Sequence, residues 1–410
     1  MSDSAAVVRL TVVKGPAAGT EYRFETRATC VIGRASDCRP RLPRTDKRAA
    51  RYHCLLDVNP PALRLRGLGT AATRVNGEEI AAFPGHAGGA PAGRDLVDGD
   101  EIRLGETLLR IGVEPRAAAP RGGPEGEVSL PPGYEALREL SRAPGRVVRL
   151  ARRLPGDDLV DLVTLRAAGP GGDGDAFLRA VQRLRGLRHE RIARLYDGGA
   201  RDDGSGYWLA YEHCGGGTLE ELLTAHGGTL PPARAVAVAV GLLDGLAYAH
   251  GGPGAPLLHG AVAPSNVLVT ATAEGTGGSP VVKLGRFGVD GAFDRAGLAG
   301  LTRAGATTAT AAYLPRTRLT GHPEPGPEAD VWGAAAVLCR MLTGAAPRDF
   351  PAGTDPLLVL LRDAALPVRQ RAPSLPQGLA RVVDAALIDT PGIVTRQATA
   401  LGRALADVDV

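Results

Sequence analysis

The side chains in this sequence that are best suited to phosphate chemistry are arginines, because lysine is almost absent. The 410-residue chain has 48 lysines and arginines together, and only Lys14, Lys47 and Lys283 are lysines. A mechanism that needs a lysine between positions 48 and 282 is therefore excluded. Arginine donates two parallel hydrogen bonds from one planar group, so it can bind phosphate where lysine is missing.

Charge and cysteine content exclude several further classes of partner and site. The net charge is +4, with 48 basic and 44 acidic residues, so we expect no nucleic-acid partner. The five cysteines form no CxxC pair, which indicates buried free thiols rather than a metal site or a disulfide framework. No secretory signal is apparent, and the apolar runs at 235–243 and 333–338 are too short to span a membrane. We expect a cytoplasmic protein without membrane insertion.

The chain divides into three parts by its residue pattern. Residues 1–114 show short alternating strands separated by turn signals, which predicts an all-β sandwich. Residues 115–131 lose this periodicity and gain Pro and Gly, as is typical of a linker. Residues 132–410 predict an α+β unit of two lobes, a small β-rich lobe over 132–212 and a larger helical lobe over 213–410.

Particular elements can be placed within these parts. In the first part, continuous strands are predicted over 21–33 and 101–113. In the last part, apolar periodicity predicts helices at 175–187, 218–226, 232–250, 328–342, 357–364, 379–387 and 395–408.

Four landmarks in the first part resemble the forkhead-associated (FHA) domain. In order, they are Gly33-Arg34, Arg51-Tyr52-His53, Gly69-Thr70 and Val75-Asn76-Gly77. The resemblance implies a sandwich whose loops bind phosphothreonine peptides, with Arg34, Arg51 and Thr70 as candidate phosphopeptide-binding residues. His53 is expected to brace a loop, and Asn76 to form a hairpin turn.

The first part departs from the FHA pattern at two places. Ala50 stands where the family has a serine whose hydroxyl reaches the phosphate, and the segment 69–73 lacks the asparagine that holds the peptide backbone. Each hydrogen bond lost to a charged group costs about 1.5–3 kcal/mol. We therefore expect weakened phosphopeptide binding.

Three segments in the last part resemble Ser/Thr protein kinases. His259–Val269 is similar to the catalytic loop H-R-D-L-K-P-x-N-V-L, and 282–288 to the motif V-K-L-x-D-F-G. The run that begins at Asp330 matches the D-V-W-G opening of the long helix in the large lobe. The resemblance covers about 133–410 and implies a two-lobed protein-kinase-like fold.

The positions that carry kinase chemistry hold other residues. Val163 stands at the lysine that pairs with the phosphates, and Ala180 at its glutamate partner. Ala261 stands at the aspartate that accepts the substrate proton, and Arg286 at the aspartate that binds Mg²⁺. The glycine-rich loop is also missing at 141–148. We therefore predict a pseudokinase, with no catalytic residues, no cofactor and no metal.

Other positions of the kinase pattern either support the kinase-like fold or disfavour nucleotide binding. His259, Phe287 and Leu184 match the apolar column that joins the lobes, and Asp330 matches the aspartate that braces the catalytic loop. Asp161 replaces the alanine next to adenine, so its carboxylate would oppose a nucleotide. We hypothesise that Arg286 takes the place of the metal charge or pairs with Asp161.

Three interpretations follow. The first is a non-catalytic FHA–pseudokinase scaffold or allosteric regulator, whose partner is a Ser/Thr kinase or a phosphothreonine-containing protein. The second is a divergent ATP-dependent Ser/Thr kinase, for which Glu212, Asp290 and Asp294 are the nearby carboxylates. The third is a phosphothreonine-binding adaptor whose kinase-like lobes only support the FHA domain. Threonines 302, 307, 308 and 310 are candidates for phosphorylation in trans.

Overall fold

The structure is a computed structural model of the chain. It describes residues 7–24, 28–60, 62–68, 71–80, 93–114, 130–143, 146–166, 174–201, 206–252, 254–270, 281–288, 311–320 and 326–409.

Two compact units divide the chain. The first consists of Met1–Pro120 with Arg318–Glu324 and Phe350–Asp363, and the second consists of Arg121–Thr317, Pro325–Asp349 and Ala364–Val410. All five cysteines are free and buried in these units, as predicted.

The first unit contains a β-sandwich of two antiparallel sheets. One sheet has the order β2-β1-β10-β9-β6-β7, formed by β1 (Val7–Lys14), β2 (Glu21–Phe24), β6 (Thr73–Val75), β7 (Glu78–Ile80), β9 (Glu101–Leu104) and β10 (Thr107–Glu114). The other has the order β3-β4-β5-β8, formed by β3 (Ala28–Ile32), β4 (Cys54–Asn59), β5 (Ala62–Gly67) and β8 (Arg94–Leu96). This arrangement confirms the all-β sandwich.

One apolar core joins the two sheets. Leu10 and Ile111 face it from the first sheet, and Ile32, Leu56 and Leu65 face it from the second, all of them almost completely buried. The alternation of buried and more exposed residues along β1 and β5 places every second side chain in this core.

The prediction of continuous strands over 21–33 and 101–113 was wrong. The first region contains β2 and β3, which lie in different sheets, and the second contains β9 and β10, which form a hairpin at Gly105, a residue with φ of +60°. Alternating apolar residues continue across the break in 21–33, so periodicity alone does not reveal that the chain changes sheet there; in 101–113 the buried positions change from even to odd numbers at the turn.

The small lobe of the second unit is a five-stranded sheet with one helix. The sheet order is β11-β12-β13-β15-β14, formed by β11 (Tyr134–Ala143), β12 (Arg146–Arg153), β13 (Asp158–Arg166), β14 (Leu195–Ala200) and β15 (Gly206–Glu212). The helix, α1 (Gly174–Arg185), buries Phe177, Ala180, Val181 and Leu184. These residues are three or four positions apart, so they form one apolar face.

Helices dominate the rest of the chain. They are α2 (Leu219–Ala225), α3 (Pro232–His250), α4 (Thr317–Thr320), α5 (Pro327–Thr343), α6 (Pro356–Arg362), α7 (Val368–Arg371), α8 (Gln377–Ala386) and α9 (Ala398–Ala406). Between them, β16 (Val267–Val269) pairs with β17 (Val282–Leu284). All seven predicted helices are confirmed, with ends that differ by at most three residues, whereas the four-residue helices α4 and α7 were not predicted.

Local signals explain where two of these helices begin and end. A capping box starts α2, because Thr218 accepts a hydrogen bond from the Glu221 N–H and Glu221 accepts one from the Thr218 N–H. Gly344, with φ of +74°, ends α5 in the left-handed conformation.

Helix α3 is the central helix of the helical lobe. It packs against α5 and α9, and Leu242 and Leu246 are completely buried. Among the described helices, only α3 is long and apolar enough to cross a membrane, and 56% of its apolar window is buried inside the protein. Its apolar composition is thus the one expected of a buried helix.

Candidate functional sites

The connection between β3 and β4 carries two of the predicted phosphopeptide-binding residues. We name residues 34–51 the basic loop, since they include seven arginines and lysines but only two aspartates. The loop is compact: the Leu42 N–H donates to the Gly33 carbonyl at 2.7 Å, and the Arg34 N–H donates to the Ala50 carbonyl at 3.1 Å. A Cβ atom on Gly33 would lie 2.1 Å from the Arg51 carbonyl oxygen, so only glycine fits there.

Arg34 is held by the main chain of this loop. Its Nε donates to the Ala49 carbonyl at 2.6 Å and its Nη1 to the Arg44 carbonyl at 3.2 Å. The guanidinium has five N–H donors, and no described residue accepts from the others. Arg34 is therefore fixed in position and has donors left for an anion.

Arg51 lies beside Arg34 and is exposed to solvent. Its carbonyl accepts from the Ala35 N–H at 3.0 Å, and its guanidinium carbon is 5.9 Å from the ring centroid of Tyr52. The structure thus brings Arg34 and Arg51 together. The third predicted residue, Thr70, lies outside the described residues.

His53 supports the basic loop from inside the sandwich. The Ala50 N–H donates to its Nδ1 at 3.1 Å, so the ring proton is on Nε2, which donates to the Ala72 carbonyl at 3.1 Å. Burial lowers the pKa of His53, against the smaller opposing effects of the Ala72 hydrogen bond and the Asp46 charge. A neutral, doubly hydrogen-bonded histidine is what the predicted bracing role requires.

Asn76 forms the turn between β6 and β7, as predicted. Its φ is +53° and that of Gly77 is +87°. The Asn76 side chain donates to Asp100 at 2.7 Å and accepts from the Glu101 N–H at 2.8 Å. These contacts give Asn76 a structural role in the hairpin.

In the second unit, a buried hydrogen-bonded pair lies where the kinase pattern places the adenine site. Asp161 on β13 is 6% exposed, and its carboxylate is 2.7 Å from Nδ1 of His213, just beyond β15. Strand pairing places Asp161 opposite Tyr211, which brings His213 within reach. The partner of Asp161 is thus His213, and the hypothesis that it pairs with Arg286 was wrong.

Val163 and Ala180 are buried, apolar parts of the small lobe. Val163 lies between Val148 on β12 and Leu209 on β15, and it has no solvent exposure. Ala180 is 5% exposed on the buried face of α1. Neither side chain can carry a charge, and both contribute to the apolar interior of the small lobe.

Arg286 and Ala261 are joined through Asn266. The Arg286 Nη1 donates to the Asn266 side-chain oxygen at 3.0 Å, and the Asn266 side-chain nitrogen donates to the Ala261 carbonyl at 2.8 Å. Arg286 has φ of +57°, a strained conformation for a residue with a side chain. Among the described residues, no group of His, Cys, Asp and Glu could hold a metal ion.

Asp330 braces the loop that contains His259. Its carboxylate is 3% exposed and accepts from the N–H groups of His259 and Gly260, each at 2.8 Å, and from His250 Nε2 at 3.0 Å. Burial raises the pKa of Asp330, but the His250 hydrogen bond, the His259 and His250 charges and the Gly260 N–H together lower it below its ordinary value. Asp330 therefore stays ionised.

The apolar column predicted from the kinase pattern is present. The ring of His259 packs edge-on against Phe287 with centroids 5.0 Å apart, and His259 Nε2 donates to the Gly285 carbonyl at 3.1 Å. Gly288 packs so closely on Leu184 that a Cβ atom would lie 2.6 Å from its methyl group. Tyr211 adds a hydrogen bond from its hydroxyl to the Phe287 carbonyl at 3.1 Å.

The carboxylates considered for a divergent kinase are unsuited or not described. Glu212 forms an ion pair with Lys283 at 2.5 Å. Asp290 and Asp294 lie outside the described residues, as do the threonines 302, 307, 308 and 310.

Sequence reasoning missed one buried ion pair in the large lobe. Arg348 contacts Asp389 at 2.5 Å, and both side chains are almost completely buried. Asp389 also accepts from the Arg316 N–H at 2.7 Å, so it holds the main chain at Arg316. Arg348 and Asp389 are 41 positions apart, and no sequence signal linked them.

Known proteins resemble these two units. The FHA domain model matches residues 30–105, and the protein kinase domain model matches residues 165–365. No curated protein matches the chain.

Solved structures resemble the second unit. The PknI kinase domain of Mycobacterium tuberculosis is 21% identical, with a TM-score of 0.50 over 67% of this chain and 96% of that one. A double mutant of that domain is 22% identical, with a TM-score of 0.51 over 68% of this chain and 99% of the other. The two family models and the solved structures together show the fold: the chain contains an FHA domain followed by a protein-kinase-like domain.

Proposed function

We propose that this protein is a non-catalytic FHA–pseudokinase regulator in Ser/Thr phosphorylation signalling. In this proposal the FHA domain, residues 1–114, binds a phosphothreonine-containing protein. The linker 115–131 connects it to the kinase-like domain, residues 132–410, which acts as a scaffold or allosteric partner of an active Ser/Thr kinase. We place the protein in the cytoplasm.

The hydrogen-bonded contact between Asp161 and His213 is the observation that carries the non-catalytic part of the proposal. Its atoms are 2.7 Å apart at the place where adenine lies in the kinase pattern. A nucleotide would have to separate the pair and pack an apolar base against a buried carboxylate. That arrangement is unfavourable, since a buried charge without its partner costs about 3–5 kcal/mol in a fully buried pair and about 2 kcal/mol here, where His213 is partly exposed.

The residues around the missing chemistry support the same conclusion. Val163 has no charge to hold phosphates, and Ala261 has no group that accepts a proton. Arg286 brings a positive charge that never deprotonates to the position of a Mg²⁺ ligand, where it binds Asn266. Phosphoryl transfer depends on positioning and charge neutralisation, so these substitutions remove its main contributions together.

Thermal unfolding of the full chain with and without Mg-ATP tests this part of the proposal. A ligand at a hundred times its dissociation constant stabilises a protein by about 2.7 kcal/mol, which is easily detected. We expect no saturable stabilisation by Mg-ATP and no transfer of radiolabelled phosphate to the chain or to a generic substrate. Saturable stabilisation together with phosphate transfer would support the divergent kinase instead.

A second candidate, the phosphothreonine-binding adaptor, is favoured by the geometry of Arg34. Its guanidinium is fixed by two carbonyls and keeps further donors. Titration of the full chain with a phosphothreonine peptide and its unphosphorylated counterpart tests the FHA domain directly. Equal affinity for both peptides would exclude the adaptor and the FHA part of the leading proposal.

A further inference from the structure

Most cations on the strands of the sandwich have acidic partners, whereas the exposed cations of the basic loop do not. The paired strand arginines are Arg9 with Glu21 and Glu114, Arg64 with Asp95, Arg74 with Glu79, Arg94 with Glu78, and Arg110 with Glu101; the exposed strand residues Lys14 and Arg103 form no ion pair with a described residue. In the basic loop, six exposed cations form no ion pair with any described residue, namely Arg39, Arg41, Arg44, Lys47, Arg48 and Arg51.

The two aspartates of the basic loop do not neutralise these cations. Asp46 is 4% exposed, and its carboxylate accepts from the N–H groups of Glu106 at 2.8 Å and Arg48 at 3.0 Å. Asp37 accepts from the Tyr52 hydroxyl at 3.2 Å. The Asp46 carboxylate is hydrogen-bonded to backbone N–H groups rather than to a cation, so the outer surface of the loop stays strongly positive.

Main-chain contacts hold three stretches of the basic loop next to one another. Gly33 and Arg41 form a parallel bridge, and Arg34 contacts the carbonyls of Arg44 and Ala49. The Ala35 N–H donates to the Arg51 carbonyl at 3.0 Å. The stretches around residues 34, 41–44 and 49–51 are therefore held side by side, and Arg34 lies among them.

We propose that the basic loop binds a peptide carrying several negative charges, that is, a phosphothreonine flanked by acidic or further phosphorylated residues. This inference rests on the proposed function, in which Arg34 and Arg51 bind the phosphothreonine. The exposed cations of the loop bind the flanking charges by complementary electrostatics.

The chemistry of the loop favours a peptide over a nucleic acid. Residues 34–51 contain no aromatic residue on which a base could stack. They also contain no helix or strand that could enter a groove of a duplex. A flexible acidic peptide needs neither feature.

Four peptides of one core sequence separate the flanking charges from the phosphate. They carry threonine or phosphothreonine, each with either neutral or acidic flanks, and are titrated into the full chain at low and at physiological salt. We expect the acidic phosphopeptide to bind about tenfold more tightly than the neutral phosphopeptide at low salt. We expect this difference to shrink as salt rises, because exposed charges are screened.

Charge-reversal variants test whether the cations of the basic loop cause the preference for acidic flanks. The variant Arg41→Glu/Arg44→Glu should lose the advantage of the acidic flanks and keep the affinity for the neutral phosphopeptide within about twofold. The matched control, Lys14→Glu/Arg103→Glu, makes the same change of charge at exposed strand residues of the sandwich. It should leave the advantage of the acidic flanks intact.

The results distinguish this inference from the proposed function. If both phosphopeptides bind equally well, the inference is wrong and phosphothreonine binding stands. If neither phosphopeptide binds better than its unphosphorylated form, phosphothreonine binding itself fails and the inference fails with it. Duplex or single-stranded DNA that binds as tightly as the acidic phosphopeptide and loses affinity in the same loop variant would also overturn the inference, in favour of a nucleic-acid surface.

Discussion

Charged side chains are paired in the cleft of the kinase-like domain, whereas the exposed cations in the basic loop of the FHA domain are not. In the cleft, Asp161 pairs with His213 at 2.7 Å and Glu212 with Lys283 at 2.5 Å. In the basic loop, six exposed cations have no acidic partner among the described residues. A region whose charges are paired internally gains little from a charged ligand, whereas a region of like charges gains much.

This difference suggests which region handles phosphate. In a working kinase, the cleft holds carboxylates and a lysine ready for Mg²⁺ and phosphates. Here Val163 and Ala180 are buried and apolar, Arg286 donates to Asn266, and Asp330 and His259 hold their loop by hydrogen bonds. Phosphate recognition is then expected in the FHA domain alone.

The largest effect on stability is expected from replacing Asp330, the buried carboxylate that holds the loop containing His259. Asp330→Asn should lower the free energy of unfolding of the kinase-like domain by about 3–4 kcal/mol, because an amide cannot accept from all three donors. Chemical denaturation measures this change, and the exposed Asp407→Asn is the control. Phosphopeptide affinity should not change; if it falls as much as stability does, the two regions are not separable.

The same carboxylate predicts a dependence on pH. The pKa of Asp330 is lower in the folded protein than its ordinary value of 3.8. Its contribution to stability is therefore fully present above that value and is lost as pH falls through the folded pKa. The difference in stability between the wild type and Asp330→Asn should narrow below about pH 4. A constant difference down to pH 2 would show that the charge of Asp330 is not responsible.

A smaller effect on stability is expected from breaking the contact between Asp161 and His213, which lies where the kinase pattern places adenine. His213→Ala leaves Asp161 buried without its partner and should destabilise the protein by about 2 kcal/mol, less than a fully buried pair because His213 is partly exposed. The double variant Asp161→Ala/His213→Ala should recover most of this loss. Denaturation of the two single variants and the double variant measures the coupling, and additive losses would contradict a stabilising contact between Asp161 and His213.

A gain of binding is expected when the missing hydroxyl of the FHA domain is restored. Ala50→Ser should strengthen phosphothreonine peptide binding about tenfold, which corresponds to one hydrogen bond to a charged group. Calorimetric titration measures the gain, with the exposed Ala18→Ser as control. No gain would place the phosphate away from Ala50.

The smallest effect is expected at an exposed cation. Arg51→Ala should weaken phosphopeptide binding about threefold at low salt and less at physiological salt, because solvent and ions screen an exposed charge. Titrations at two salt concentrations test this. A loss greater than a hundredfold would mean that Arg51 contributes more to phosphate binding than an exposed, screened cation can, and no loss would show that Arg51 does not bind the phosphothreonine.

Much of the fold was predictable because apolar periodicity and motif order are local properties of the sequence. The seven longer helices and the sandwich were found in this way, whereas the division of residues 21–33 between two sheets was not, since alternation continues across the break.

The candidate sites were only partly predictable. Motif spacing located Arg34, Arg51, Val163 and Arg286, but side-chain partners depend on distant parts of the chain. Asp161 is 52 positions from His213, and no pattern links the two. The basic loop was missed for another reason, because the charge balance of the whole chain concealed a local surplus. A count of charges along a short window would have found it.

The central claim, that phosphate is bound by the FHA domain and not by the kinase-like cleft, can be tested in one calorimetric experiment. The full chain is titrated with a phosphothreonine peptide and, separately, with Mg-ATP under the same conditions. We predict saturable binding of the peptide, abolished by Arg34→Ala, and no saturable binding of Mg-ATP. Saturable Mg-ATP binding that is unaffected by Arg34→Ala, with no binding of the peptide, would contradict the claim.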